Sequence, residues 1–158
     1  MIRVDDTGVR QEREGLSAYI DTSALAKWYV NEEGSEEVEA YLRDNCPVSI
    51  SPLTKVEMRS LTARRKRSGY FDAETQGKVL ATFEGDIASG HLVLVPHTME
   101  SFAIAESPLG TQPKIPLTSL DALHLGVMRL ANIDVLATAD RVMAQAADAL
   151  GQECRSFF

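Results

Sequence analysis

The chain has 158 residues, 44% of them apolar and 25% charged, which fits a globular domain with a real core and excludes a disordered or fibrous chain. Its 23 acidic and 16 basic residues leave a net charge of −7, which argues against holding nucleic acid on a broad basic surface and leaves only local contacts. No apolar run approaches the ~18 residues of a membrane helix. The opening MIRVDDTGVRQEREG is too charged for a secretory signal, so the expected location is the cytoplasm, with no membrane contact. The two cysteines, Cys46 and Cys154, lack metal-type spacing and are expected as free, mostly buried thiols.

Residues 1–16 are polar, mixed in charge and without period, and read as a loose arm ahead of one domain spanning 17–158. SAYID (17–21) reads as a short buried strand ending at Asp21. In TSALAKWYV, Leu25, Trp28 and Tyr29 stand at i, i+3, i+4, a helical stripe that places the two aromatics in the core. Gly34 ends this helix. Ser35 is placed to cap the next one, with Glu36 and Glu37 in its first turn, and that helix runs through Val38, Tyr41 and Leu42. PVSIS (47–51) reads as the second strand. Ser51-Pro52 opens a helix that continues to about Arg67, unless Thr54 and Glu57 form a capping box three residues later. Asp72 to about Ser89 is a helix, HLVLV (91–95) a strand and 97–106 a helix. SPLGTQPKIP (107–116), with three prolines, reads as a loop. Thr118 to Ala131 is a periodic helix opened by a Thr118–Asp121 box. DVLATA (134–139) is a strand, Asp140 to Leu150 a helix, and ECRSF an edge strand. Strands alternating with helices predict a parallel sheet covered on both faces, with ligands at the carboxyl ends of its strands.

Four acids stand out against that frame. Asp21 and Asp140 follow strands at the predicted rim, where each alone is explained as an N-cap. Glu57 lies four residues after Leu53 and four before Leu61, on the stripe formed with Val56 and Ala63. Asp121 edges the buried stripe of its helix, beside Leu120 and Leu123. First-turn dipole complementation accounts for it singly. Together the four point to one oxygen-lined site. Crowded carboxylates repel unless a cation joins them, and Mg²⁺ or Mn²⁺ favours oxygen ligands. One or two such ions would activate water and neutralise charge on a phosphodiester.

At these residues the chain resembles the PIN-domain nucleases, and among them the VapC-type toxins of bacterial toxin–antitoxin pairs. The resemblance rests on YIDTSALAKWYVNEEGSEEV (19–38), SPLTKVEMRSLTARR (51–65), LTSLDALHLGVMRL (117–130) and VLATADRVMAQAADALG (135–151), which stand in the family's order. It implies a three-layer α/β/α sandwich with a mostly parallel sheet of about five strands. It assigns Asp21, Glu57, Asp121 and Asp140 to the acidic metal-site positions, and Thr22, Ser23 and Thr138 to accessory hydroxyls. The implied activity is metal-dependent endoribonuclease cleavage leaving 5′-phosphate and 3′-hydroxyl ends. The implied partners are RNA, a second copy in a homodimer, and a small antitoxin.

Arg64, Arg65, Lys66 and Arg67 read first as a solvated helix end complementing the dipole, and second as an RNA-steering patch. His124 reads as a core histidine, or as a partner of Asp121. The rival function is a non-catalytic, magnesium-binding receiver-like module. Against it, no lysine follows Lys114. An acid-phosphatase-like hydrolase would want a second aspartate at position 23, which is Ser23.

Overall fold

The computed structural model describes residues 18–158; the arm expected over 1–16 lies outside them. Within that span strands and helices alternate: β1 (Ala18–Ile20), α1 (Thr22–Tyr29), α2 (Ser35–Asn45), β2 (Val48–Ile50), α3 (Pro52–Arg67), α4 (Ala73–Ala88), β3 (Leu92–Leu94), α5 (Met99–Thr111), α6 (Ser119–Leu130), β4 (Val135–Thr138), α7 (Arg141–Ala149) and β5 (Glu153–Ser156). All strand pairs are parallel and the order is β3-β2-β1-β4-β5, so the expected parallel five-stranded α/β sheet is the one found.

The strands are short; the central three, β2, β1 and β4, are buried on both faces, and their side chains divide with period two. Ala18 and Ile20 of β1, Val48 and Ile50 of β2, and Ala137 of β4 join one apolar cluster with Leu25, Val38, Met58 and Phe83 from α1 to α4. Tyr19 and Leu136 face the other way and join Leu125 and Met128 of α6 and Met143 of α7. Tyr19 stands opposite Ser49 on one side and Leu136 on the other. The chain winds outward from β1 to β2 and β3, then returns to the far side of β1 as β4. Strand order therefore reverses between β1 and β4, the place where open α/β sheets bind ligands.

Helix α5 packs closely against α6, and Gly126 is what permits it. A Cβ at Gly126 would collide with the Ser101 carbonyl and lie 3.0 Å from the Ala105 Cβ. Gly126→Ala should cost about 1–3 kcal/mol, the usual penalty of overpacking. A fall in the thermal midpoint checks this, and an unchanged midpoint would mean the two helices separate at no cost.

Several local expectations are corrected. The segment 107–116 is not all loop, because α5 continues to Thr111 with Pro108 buried inside it. Packing on α6 outweighs the hydrogen bond that proline removes. Gly34, at φ 83°, is the N-cap of α2. The Ser35 hydroxyl instead accepts from the Glu32 N–H and donates to the Val30 carbonyl. Helix α3 starts at Pro52, so the Thr54–Glu57 box does not form. Its buried positions are Thr54, Met58 and Thr62, one residue round from the predicted stripe, and Val56 is 65% exposed. Trp28 is exposed, and Tyr29 is half-buried at the edge of the core against Phe83. Cys46 is exposed and Cys154 half-buried; both are free.

Candidate functional site

Asp21 follows β1 directly, and its N–H extends the ladder to the Ala137 carbonyl of β4 at 3.1 Å. This fixes its side chain at the reversal of strand order. One carboxylate oxygen accepts from the Ala24 N–H at 3.0 Å, capping α1, and from the Ser23 hydroxyl at 2.7 Å. The other accepts from the Thr138 hydroxyl at the end of β4. Asp21 is 3% exposed. Burial pushes its carboxyl above the usual carboxylate range, against the hydrogen bonds from Thr138, Ala24 and Ser23 that favour the anion.

The same hydroxyls reach Asp140. The Asp140 N–H donates to the Thr138 hydroxyl at 3.0 Å, and the Ala139 N–H to Ser23 at 2.9 Å. Asp140 caps α7, one oxygen accepting from the Val142 and Met143 N–H groups at 2.6 and 3.2 Å.

Glu57 is tied in from α3. Its Oε2 accepts from the Thr22 hydroxyl, the residue after Asp21, and lies 2.7 Å from His124 Nε2 on α6. His124 is 3% exposed and its Nδ1 lies 2.6 Å from the hydroxyl of the fully buried Tyr19. A carboxylate only accepts, so Nε2 carries the hydrogen toward Glu57. In the neutral ring, Nδ1 then accepts from Tyr19. Burial pushes the Tyr19 phenol far up, so its proton stays. Burial opposes ionisation of Glu57, but the hydrogen bonds from His124 and Thr22 and the attraction of the imidazole outweigh it and hold the carboxyl below its ordinary value. His124 is thus a buried histidine as expected, but its partners are Glu57 and Tyr19 rather than Asp121.

Asp121 forms the predicted box with Thr118. Its Oδ2 accepts from the Thr118 N–H at 3.0 Å and hydroxyl at 2.7 Å. It stands one helical turn before His124 on α6. The Asp21 carboxylate and the Asp140 main chain thus share the Thr138 hydroxyl, and Glu57 is held by Thr22, the neighbour of Asp21 in sequence, while the contacts of Asp121 stay within its own first turn.

Among the described residues no three His, Cys, Asp or Glu side chains already stand in an arrangement that would hold one ion. The donor chemistry nonetheless fits a hard cation. None of the four acids is ion-paired with lysine or arginine among the described residues. Glu57, Asp121 and Asp140 each anchor one oxygen in the hydrogen bonds above, and among the described residues no donor reaches the other. All available donors are oxygens, the set that Mg²⁺ and Mn²⁺ prefer.

The basic run ends α3, about 10–15 Å along the axis from Glu57 at 1.5 Å per residue. Arg65 there pairs with Glu32 at 2.6 Å and stacks on Tyr70.

The model of the PIN domain family matches residues 18–149, and the chain belongs to that family. Among solved structures it is similar to VapC20 of Mycobacterium tuberculosis, a sarcin–ricin loop cleaving toxin, at 19% identity over 82% of this chain and 95% of that one, with a TM-score of 0.67. It is similar to FitAcB of Neisseria gonorrhoeae at 18% identity over 89% and 96%, with a TM-score of 0.66. A third is VapBC2 of Rickettsia felis, bound to a promoter DNA fragment, at 12% identity over 89% and 98%, with a TM-score of 0.64. No curated protein sequence matches significantly.

Proposed function

We propose that this chain is a Mg²⁺- or Mn²⁺-dependent endoribonuclease, of the VapC type, acting as the toxin of a toxin–antitoxin pair. The observation that carries this reading is Asp21. It is a carboxylate buried at the reversal of strand order and held by hydroxyls rather than by a basic side chain; one of these, Thr138, also accepts from the Asp140 N–H, and the next residue, Thr22, bonds Glu57. Asp21, Glu57, Asp121 and Asp140 would supply the oxygens for one or two ions. Such an ion, when bound, lowers the pKa of water and neutralises charge on the phosphodiester. Thr22, Ser23 and Thr138 fix the carboxylate rotamers, and the Tyr19–His124 pair keeps Glu57 anionic and aimed.

The fold neighbours support the biological reading. VapC20 is a toxin that cleaves RNA of the sarcin–ricin loop, and VapBC2 is a complex bound to promoter DNA. By analogy a small DNA-binding antitoxin is the expected partner here. No helix among the described residues is long and apolar enough to cross a membrane. The sheet order 3-2-1-4-5 differs from the 2-1-3-4-5 of receiver modules, which counts against the rival reading.

Cleavage of mixed cellular RNA is the direct test. The expected result is cutting with Mg²⁺ or Mn²⁺, none in EDTA, and 5′-phosphate with 3′-hydroxyl ends. Cutting in EDTA, or 2′,3′-cyclic phosphate ends, would reject a metal-activated water.

A homodimer belongs to the same proposal. Met99, Phe102 and Leu109 share one face of α5 and are 86%, 47% and 43% exposed, with Leu120 of α6 also exposed. Phe102→Asp should convert a dimer to monomer in light-scattering mass measurements. A monomeric wild type would reject the dimer.

A further inference from the structure

Beside the acidic rim lies a cleft of about 470 Å³, lined by Lys27, Glu33, Arg141, Arg155 and Phe158 among others. We propose that this cleft is a subsite for a backbone phosphate of the single-stranded RNA flanking the cleaved bond, gripped by Arg141 and Arg155. The proposal rests on the ribonuclease reading above and adds where the strand runs.

The chain carries net charge −7, so a polyanion needs local positive charge to approach the carboxylates at all. Three cations line this cleft, but Lys27 is already engaged, donating to the Glu33 carbonyl and standing 3.7 Å from Glu32. Arg141 and Arg155 are exposed and, among the described residues, not ion-paired. Each guanidinium instead lies over an aromatic ring, Arg141 at 4.2 Å from the Phe158 centroid and Arg155 at 5.4 Å from that of Phe157. Stacking uses the flat face of the group and leaves its N–H edge for a phosphate, the geometry in which arginine surpasses lysine.

Position gives the ligand its class. Arg141 is the residue after Asp140, at the head of α7, so a strand held there continues directly onto the acidic rim. Arg155 projects from β5, the edge strand paired with β4. Glu33 and Glu37 also line the cleft and repel a phosphate, which favours a path beside Arg141 and Arg155, on α7 and β5. The run Arg64–Arg67 has no such link to the rim.

The test is fluorescence anisotropy of a labelled single-stranded RNA oligonucleotide in EDTA over a range of KCl. Arg141→Gln/Arg155→Gln should weaken binding and reduce the slope of log affinity against log salt by about 0.7 for each lost contact. Arg64→Gln/Arg67→Gln should leave the slope unchanged. Arg155→Gln alone, on an exposed edge strand, guards against misfolding of the double variant and should give about half its effect. With Mg²⁺ added, the double variant should raise KM while kcat is kept. An unchanged slope in a wild type that binds and cleaves RNA overturns the subsite and leaves the nuclease reading standing. A slope that falls only in Arg64→Gln/Arg67→Gln also overturns it and moves the contact to the end of α3. Binding of a poly-glutamate peptide that the double variant loses, with the RNA slope unchanged, overturns it in favour of an acidic protein segment. A wild type that neither binds nor cleaves RNA removes both readings together.

Discussion

Asp21→Asn is expected to lower RNA cleavage at least about 10²-fold, the loss typical when one charge-stabilising group leaves a site, without weakening the metal-free fold. Most substitutions of buried polar residues destabilise, so the second half of this expectation is the discriminating one. Asparagine caps a helix as well as aspartate does, and its oxygen can keep the Ala24 and Ser23 hydrogen bonds. Its amide can turn toward the Thr138 hydroxyl, which can accept. What disappears is a buried negative charge. Burial raises the Asp21 carboxyl above its unfolded value. A group shifted in that direction favours the fold most below its unfolded pKa and contributes less as pH rises through the raised folded value. In EDTA the wild type should therefore lose stability relative to Asp21→Asn as pH climbs through that window. Mg²⁺ or Mn²⁺ should then stabilise the wild type, by about 2.7 kcal/mol at a hundred times the dissociation constant, and the variant far less. Thermal denaturation across pH, with and without EDTA, reads all of this. Retained cleavage, or a wild type indifferent to divalent cations, would remove Asp21 from the site.

The sheet was legible because its central strands are doubly buried apolar runs closed by rim residues. SAYID and DVLATA have little else to be, and helices of 8–16 residues between them leave only parallel crossovers. Errors arose where tertiary contact overrides a local signal. Pro108 reads as a helix breaker, but the packing of α5 on α6 around Gly126 carries the helix through it. On α3, Leu53, Val56 and Leu61 look like the buried stripe, yet Thr54, Met58 and Thr62 are the residues that face the core. Two of those three are threonines, which hydropathy does not mark as buried.

The acids were visible singly, and so were their ordinary roles. Asp21 and Asp140 cap helices and Asp121 completes the capping box opened by Thr118, as their positions suggested. Spacing could not show which hydroxyls bind them together. Ser23 and Thr138 lie 115 residues apart and meet only because β1 and β4 are neighbours. Nor could it show that the histidine one turn after Asp121 turns toward Glu57, 67 residues away in sequence. Arg141 and Arg155 gave no signal either, since each is an isolated cation until α7 and β5 bring them to one cleft.

His124→Ala should separate the positioning of Glu57 from the stability of the core. The substitution removes the Nε2 hydrogen bond to Glu57 and the Nδ1 acceptor of Tyr19. Loss of a group that orients a metal-binding carboxylate typically costs about 10–100-fold in activity or metal affinity, and that fall is expected in both Mn²⁺ binding and cleavage. The Tyr19 hydroxyl, fully buried, is left without its acceptor, at a cost of about 1–3 kcal/mol, and the vacated ring volume adds to it. Adding Tyr19→Phe to His124→Ala takes away the orphaned hydroxyl. The double variant should recover part of the lost stability in urea denaturation while its metal affinity and cleavage stay low. Glu57 still lacks its donor in that variant, whereas the core no longer holds an unmatched polar atom. If activity returned together with stability, His124 would be a packing residue, and the aim of Glu57 would owe nothing to it.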